Sequence, residues 1–468
     1  MNPLSHKKFH FVGIGGIGMS GLAHLLISRG YDVSGSDAKE SPLISKLRNE
    51  GVKIVLGHHE KNLRDSEVLV YSSCIPEENP ERKEAKRKKI LILSRGELLS
   101  FLFKEKGTGI AISGSHGKTT TTALAAFLLK KAGLDPTYVI GGIVPNLEGN
   151  AETGAGDYFV TEADESDGSF LALPSTYTLV TNMDAEHLDY YGTLEKSLEA
   201  YAAFLSKTRK GGKVFVSSDC PHTAAVLKKL KPPRLSTFGF SRGADYFPDR
   251  IERQGDHSTF DCMTNGKLLG TFHLNLPGLH NIANALGVIA LADELRIPLS
   301  VIQETLETFK GVQRRLEMNQ FPSLTIVEDY AHHPTEIEAT LEALRGMSNG
   351  RRIVGVFQPH RYTRTQLLAQ RFGSCFRRVD FLIVTDIYAA SESPIPGVDA
   401  ELILKEVRRA ETLKKPLYLP KKEILPRLLE ILKPKDVVIM MGAGDVNEVA
   451  RELTRLCAQG VLSWINKS

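Results

Sequence analysis

The 468-residue sequence is poor in several things, and each shortage excludes something. Its five cysteines, Cys74, Cys220, Cys262, Cys375 and Cys457, are scattered, odd in number and never spaced C-x-x-C. That pattern rules out a zinc ribbon or a disulfide framework and suits a reducing compartment. No apolar run approaches the roughly 18 residues that cross a bilayer. The opening MNPLSHKKFHFVGIGG also lacks the apolar stretch and small-residue cleavage site of a secretory signal, so a cytoplasmic location and no membrane partner are expected. Net charge is small, 59 basic against 55 acidic residues, with no dense Lys/Arg stripe interleaved with aromatics. A nucleic-acid partner is therefore not expected. Glycine is not scarce: forty are present, several at strand-to-helix junctions, and these point to nucleotides.

At about 150 residues per domain, the length implies roughly three domains. Short apolar strands alternate with helical patterns almost throughout, as in βαβ units and parallel sheets. In the first block, strands are expected at 9–12, 32–35, 53–56, 68–71 and around 90–93. A polar segment near 104–107 reads as a linker. The second block opens with a strand at 108–112 and continues with strands near 157–162, 177–182 and 213–217 and helices at 193–207 and 281–295. Residues 235–274 look antiparallel. The third block carries strands at 324–328, 353–357, 381–385 and 437–441. The expected fold class is α/β in three domains, 1–107, 108–316 and 317–468.

Two glycine loops follow strands. The first, Gly13-Ile14-Gly15-Gly16-Ile17-Gly18, matches G-x-G-x-x-G, whose glycines let the backbone approach a diphosphate at a helix N-terminus. Asp37, 24 residues after Gly13, is placed to accept a ribose hydroxyl. NAD or FAD is the obvious ligand, although any nucleotide diphosphate, or a purely structural turn, fits this motif alone. The second loop, Gly114-Ser115-His116-Gly117-Lys118-Thr119, continues through Thr120, Thr121 and Thr122. It is a shortened phosphate loop, since position 112 is Ile112 rather than glycine. Its amides suit phosphates, Lys118 suits the β and γ oxygens, and the Thr119 hydroxyl suits Mg²⁺. Together the loops fit a protein that binds ATP at one and a nucleotide-linked substrate at the other.

Four carboxylates crowd into Glu162-Ala163-Asp164-Glu165-Ser166-Asp167, where like charges call for a cation, Mg²⁺ beside a phosphate loop, or for solvent. His187, after the next strand, is a candidate metal ligand. His280 and Asn284 stand at i, i+4 and could flank a flat base. Arg314 and Arg315 are adjacent and placed to reach a phosphate. Arg361 and Arg364, at i, i+3, form a fork suited to a carboxylate. Each of these taken alone is equally compatible with a structural role.

Seven motifs in order resemble the Mur ligases, three-domain ATP-dependent amide-bond-forming enzymes of peptidoglycan assembly. They are G-x-x-G-K-T-T-T, E-A-D-E-S-D, N-M-D-x-E-H-x-D, L-P-G-x-H-N-x-x-N, R-R, D-Y-x-H-H-P-T-E and Q-P-H-R-Y-T-R-T. Within the family, the first loop and Q-P-H-R-Y-T-R-T look like the alanine-adding branch. The related murein-tripeptide-recycling branch, which usually has a cysteine in that loop, is the alternative, and an NAD-dependent oxidoreductase is the rival from another class. The resemblance implies a Rossmann-like domain 1–107 for UDP-N-acetylmuramate, a P-loop ATPase-like domain 108–316 and a Rossmann-like domain 317–468 for L-alanine. ATP and Mg²⁺ would be the cofactors, and the protein would act as a monomer or weak homodimer. Gly13, Gly15, Gly16, Ile17, Gly18, Asp37, Ser72 and Ser73 would then bind the UDP substrate. Gly114 to Thr120, His280, Asn281, Asn284, Arg315 and Asp329 would bind ATP, and Thr119, Glu162 and His187 the metal. Tyr330, His332, His360, Arg361 and Arg364 would surround the amino acid, and Lys118, Arg315 and His332 would be catalytic, His332 as the base. Several sister ligases carry a carbamylated lysine about fifteen residues after the histidine matching His187; here that stretch, Glu199 to Phe204, has none.

Overall fold

The computed structural model describes residues 3–230, 234–413 and 415–460. They fall into two compact units, one over Met1–Ile251, Thr259–Leu274 and Ala283–Lys310, the other over Glu252–Ser258, Asn275–Ile282 and Gly311–Ser468. In the first unit, β1 (Lys8–Val12), β2 (Asp32–Asp37), β3 (Lys53–Leu56), β4 (Val68–Tyr71) and β5 (Leu91–Ser94) form a sheet in the order β3-β2-β1-β4-β5. All its pairs are parallel. Val12 is in register with both Ser36 and Tyr71, so the first glycine loop, Asp37 and Ser72 emerge together. This is where the strand order reverses, and open α/β sheets bind ligands outside the carboxyl ends at that point.

The second sheet of this unit includes β6 (Thr108–Ser113), β7 (Thr137–Val144), β8 (Gly149–Glu152), β9 (Tyr158–Glu162), β10 (Tyr177–Val180), β11 (Lys213–Ser217) and β12 (Leu235–Phe238). It ends in β13 (Tyr246–Gln254), β14 (His257–Thr264) and β15 (Lys267–Leu274), and the full order is β15-β14-β13-β12-β11-β10-β6-β9-β7-β8. Strand β6 lies parallel between β10 and β9, with Ser113 opposite Val180 and Ile112 opposite Glu162. Three loops, 114–117, 163–168 and 181–187, therefore converge at one sheet end. The meander at 246–274 turns at Asn265-Gly266, both at positive φ, as a two-residue hairpin requires. The step from β12 to β13 is parallel, which corrects the expectation of an antiparallel region throughout 235–274.

A helix follows the phosphate loop directly. It spans Lys118–Lys131, with Thr119 to Thr122 buried inside it. Burial of the threonine side chains overrides the weak helix propensity of β-branched residues. The N-terminal and central sheets share one core, in which Leu22, Leu25, Leu102 and Phe103 join Ala111, Val139 and Phe159. At Gly21, an added Cβ would come within 3.1 Å of Asn150 Nδ2 and 3.2 Å of Ala151 Cβ. The helix Ile17–Ser28 therefore lies directly on β7 and β8, and Asn150 Nδ2 donates to Ile17 O at 2.7 Å.

The second unit is built on β16 (Glu317–Phe321), β17 (Leu324–Asp329), β18 (Ile353–Phe357), β19 (Phe381–Val384), β20 (Leu417–Tyr418) and β21 (Asp436–Met441), ordered β16-β17-β21-β18-β19-β20. Only the edge strand β16 is antiparallel among these pairs. The central strands are apolar and buried on both faces, as parallel sheets require. Asp329 and Phe357 are both opposite Met441, which aligns the loops carrying Tyr330, His332 and His360.

Candidate functional site

The phosphate loop is tied to the end of β10. Ser115 N donates to Asn182 O at 3.1 Å, His116 N to Asn182 Oδ1 at 2.9 Å, and Asn182 Nδ2 to His116 O at 3.0 Å. Gly114 has φ 134° and Gly117 φ 83°. A Cβ at Gly114 would land on Thr181 Oγ1, and one at Gly117 would lie 2.5 Å from Asn284 Oδ1, so both positions need glycine. That contact brings Asn284 to the loop.

Lys118 Nζ donates to Gly114 O at 2.5 Å, to Ser115 O at 3.3 Å and to Glu165 Oε1 at 2.7 Å. Burial works against its ammonium, but Glu165 and Asp164 hold it above the ordinary lysine value. Burial pushes the Glu165 carboxyl up to about 7 despite the pull of Lys118. Burial raises Glu162 as well. Asp164 is the opposite case: Arg95 and Lys118 overcome its burial and keep it well below the carboxylate range. Thr119 Oγ1 donates to Glu162 Oε2 at 3.2 Å, and Gly141 N donates to Glu162 Oε1 at 2.6 Å. Glu165, Glu186 and His187 each offer a ligand atom within 4.8 Å of the others. Glu165 Oε2 is buried without a hydrogen-bond partner among the described residues. Hard oxygen donors and an orphaned carboxylate oxygen beside a phosphate loop fit Mg²⁺. Thr119 thus meets Glu162, while His187 stands with Glu165 and Glu186.

In the first glycine loop, Gly13 N and Ile14 N donate to Ser36 O at 2.8 and 3.1 Å, and Gly16 N to Gly13 O at 3.3 Å. Gly15 N donates to Asp37 Oδ2 at 2.8 Å. Asp37 thus caps the loop itself, a duty its spacing did not reveal. Helix geometry leaves the amides at Ile17, Gly18 and Met19 for a ligand. Ser72 lies beside Gly13, with the added Cβ 3.4 Å from Ser72 Cβ, and Ser73 is exposed.

In the second unit, Asp329 is buried and accepts from Leu316 N and Ala331 N, both at 2.7 Å. The Arg314 and Arg315 guanidiniums lie 4.9 and 5.1 Å over the Tyr330 ring. His332 Nδ1 lies 3.0 Å from Tyr330 O. A carbonyl only accepts, so that nitrogen carries the proton and Nε2 is the basic atom of the neutral ring. His360 stacks on Tyr388 with ring centroids 5.7 Å apart, and burial, with the charge of His332 next, pushes it down to about 2. His280 is held to about 4 by burial and then by Arg315. Asn281 Nδ2 donates to Pro277 O at 2.7 Å, within the turn that opens its helix.

Arg361 caps the helix Tyr362–Cys375 from outside at φ 70°, and Arg364 Nη1 turns back to His360 Nδ1 at 3.1 Å.

Three family models match in succession: "Mur ligase family, catalytic domain" over residues 8–106, "Mur ligase middle domain" over 112–292 and "Mur ligase, glutamate ligase domain" over 314–444. The chain belongs to the Mur ligase family. It is 47% identical to a UDP-N-acetylmuramate–L-alanine ligase of Sorangium cellulosum, with 96% of each chain covered. It is 42% identical to one of Sulfurihydrogenibium, covering 97% of this chain and 98% of that one. Among solved structures, a UDP-N-acetylmuramate–alanine ligase from Thermotoga maritima superposes with TM-score 0.83 at 29% identity, covering 97% of this chain and all of that one.

One residue of this Mur ligase site escaped the motifs. Arg95 opens the helix Arg95–Lys104, its Cδ 3.2 Å from the Cβ position of Gly18, and Nη2 donates to Asp164 Oδ2 at 2.8 Å. It links the first glycine loop to the acidic loop beside the second. Its signal was present: a cation in the first turn of a helix opposes the helix dipole and calls for an anionic partner.

Proposed function

We propose that this Mur ligase joins L-alanine to the lactyl carboxylate of UDP-N-acetylmuramate at the expense of ATP, in the cytoplasm, as a step of peptidoglycan precursor synthesis. The observation that carries this reading is the identity of 42% and 47% over nearly the whole chain to relatives bearing that name. The division of labour follows the three segments, 1–107 for the UDP substrate, 108–316 for ATP and 317–468 for the amino acid. The protein acts as a monomer or weak homodimer.

The reaction has two steps. The lactyl carboxylate attacks the γ-phosphorus of ATP, giving an acyl phosphate and ADP. The alanine amine then attacks the acyl carbon, and phosphate leaves from the tetrahedral adduct. Phosphorylation is needed because a carboxylate has no leaving group better than oxide. Lys118 and Arg315 place positive charge against the transferred phosphoryl group, where positioning and charge neutralisation supply most of the acceleration. Thr119 and Glu162, with His187, would hold Mg²⁺, which neutralises phosphate oxygens when bound. His280, Asn281, Asn284 and Asp329 position the nucleotide, and the amides at Ile17 and Gly18 receive the UDP diphosphate. Neutral His332, with its basic Nε2, takes the ammonium proton of alanine before attack. Tyr330, His360, Arg361 and Arg364 hold the amino acid.

Phosphate release from ATP in the presence of UDP-N-acetylmuramate, compared across L-alanine, glycine, L-serine and the murein tripeptide, tests this reading. Turnover with L-alanine far above the others is expected. Preference for the tripeptide would reassign the protein to recycling.

A further inference from the structure

Beneath the first glycine loop lies a buried carboxylate that the reaction does not use. Glu81, in the helix Pro80–Arg87, is completely buried. Its Oε2 receives His10 Nε2 at 3.0 Å and Ser36 Oγ at 2.7 Å, and its Oε1 receives Asn62 Nδ2 at 2.7 Å and His59 N at 3.1 Å. Burial works to raise this carboxyl, but the hydrogen bonds from His10, Ser36 and Asn62 and the charge of His10 leave it below its ordinary value. A carboxylate held ionised in this way accepts and never donates.

Ser36 is the junction of the network. Its carbonyl receives the Gly13 and Ile14 amides, so it sets the height of the glycine loop. Its hydroxyl has one proton, and that proton goes to Glu81. The 3.0 Å contact between Ser36 Oγ and His58 Nδ1 therefore requires the ring nitrogen to donate. This puts the proton of a neutral His58 ring on Nδ1 and leaves its Nε2 as the acceptor. His58 follows β3, next to the end of β2, and keeps 20% of its side chain exposed. In open α/β folds the end of the second strand serves the nucleoside rather than the phosphates. Asp37, expected from its spacing to receive a ribose hydroxyl, is engaged by the amides of Gly15 and Lys39. An Nε2 acceptor beside it suits a ribose hydroxyl or the N3–H of a pyrimidine.

We infer that Glu81 is a positioning residue for the nucleoside half of the UDP substrate, acting through Ser36 on both the glycine-loop anchor and the tautomer of His58. This rests on reading the first loop as the UDP site. The test uses the full chain in three forms, wild type, Glu81→Gln and Ser36→Ala. Dissociation constants for UDP-N-acetylmuramate and for MgATP are measured by calorimetry, and the His58 tautomer by long-range ¹⁵N–¹H NMR. In Glu81→Gln one amide oxygen still accepts, but the NH2 group turns its N–H bonds on two of the four existing donors; Ser36→Ala removes only the bridging hydroxyl and is the variant of record if the first fails to fold. Both variants are expected to lose the Nδ1-protonated signature of His58 and to bind UDP-N-acetylmuramate at least ten-fold more weakly, with MgATP affinity within two-fold of wild type. Unchanged UDP-substrate affinity or an unchanged tautomer in Ser36→Ala overturns the inference. Wild-type protein that binds MgATP but no UDP-N-acetylmuramate overturns the reading of the first loop instead.

Discussion

Lys118→Met separates the chemical role of the phosphate-loop lysine from its structural one. The ammonium uses its three protons on Gly114 O, Ser115 O and Glu165 Oε1. Three charge-assisted hydrogen bonds at about 1.5–3 kcal/mol each would suggest a loss of about 5–9 kcal/mol. The real loss is smaller, about 1–3 kcal/mol, because the partner is not left as a stranded charge. Glu165 already titrates near neutrality, at about 7, and takes up a proton once the cation is gone. The variant therefore stays folded, with a melting temperature lower by several degrees. Its chemistry does not survive: loss of a cation aimed at developing phosphoryl charge lowers kcat by about 10³-fold. The assays are coupled phosphate release, thermal unfolding and calorimetric binding of UDP-N-acetylmuramate, whose affinity should stay within two-fold. A folded Lys118→Met protein with more than a tenth of wild-type turnover would refute the phosphoryl-transfer role.

Other substitutions probe the rest of the site. Gly114→Ala forces a Cβ onto Thr181 Oγ1 at φ 134°, and should cost about 2–4 kcal/mol in unfolding experiments and abolish MgATP binding. Arg95→Ala removes the link between Gly18 and Asp164, so KM should rise for both UDP-N-acetylmuramate and ATP; a rise in neither would leave Arg95 a surface ion pair. His360 resists protonation down to about 2, whereas an unfolded histidine titrates near 6.5, so the unfolded state binds the extra proton and stability falls as pH drops below about 6.5. His360→Asn, whose Oδ1 can still accept from Arg364, should flatten that fall between pH 6.5 and 4 in denaturant titrations.

The two glycine loops were legible because strand, glycine pattern and helix start are all local in sequence. The strands at 53–56, 68–71, 213–217 and 353–357 were placed to the residue, since apolar runs bounded by turns leave little choice. The pair β7 and β8 was not read: G-G-I-V and G-N-A-E carry no clear alternation, and their pairing depends on the helix Ile17–Ser28 packed against them. Asp37 was placed at the right strand end, but its bond to the Gly15 amide depends on a side-chain rotamer that spacing does not show. Arg95 and Glu81 were missed because their partners, Asp164 and Ser36, lie 69 and 45 residues away.

ATP cleavage in this protein drives formation of an amide bond between two specific partners. Incubation of the full chain with MgATP, UDP-N-acetylmuramate and L-alanine, read by phosphate release and by mass spectrometry of the nucleotide product, tests it directly. One phosphate is expected per product formed, with the product heavier than UDP-N-acetylmuramate by one alanyl residue. Phosphate release without that product, or a product formed without phosphate, would contradict it.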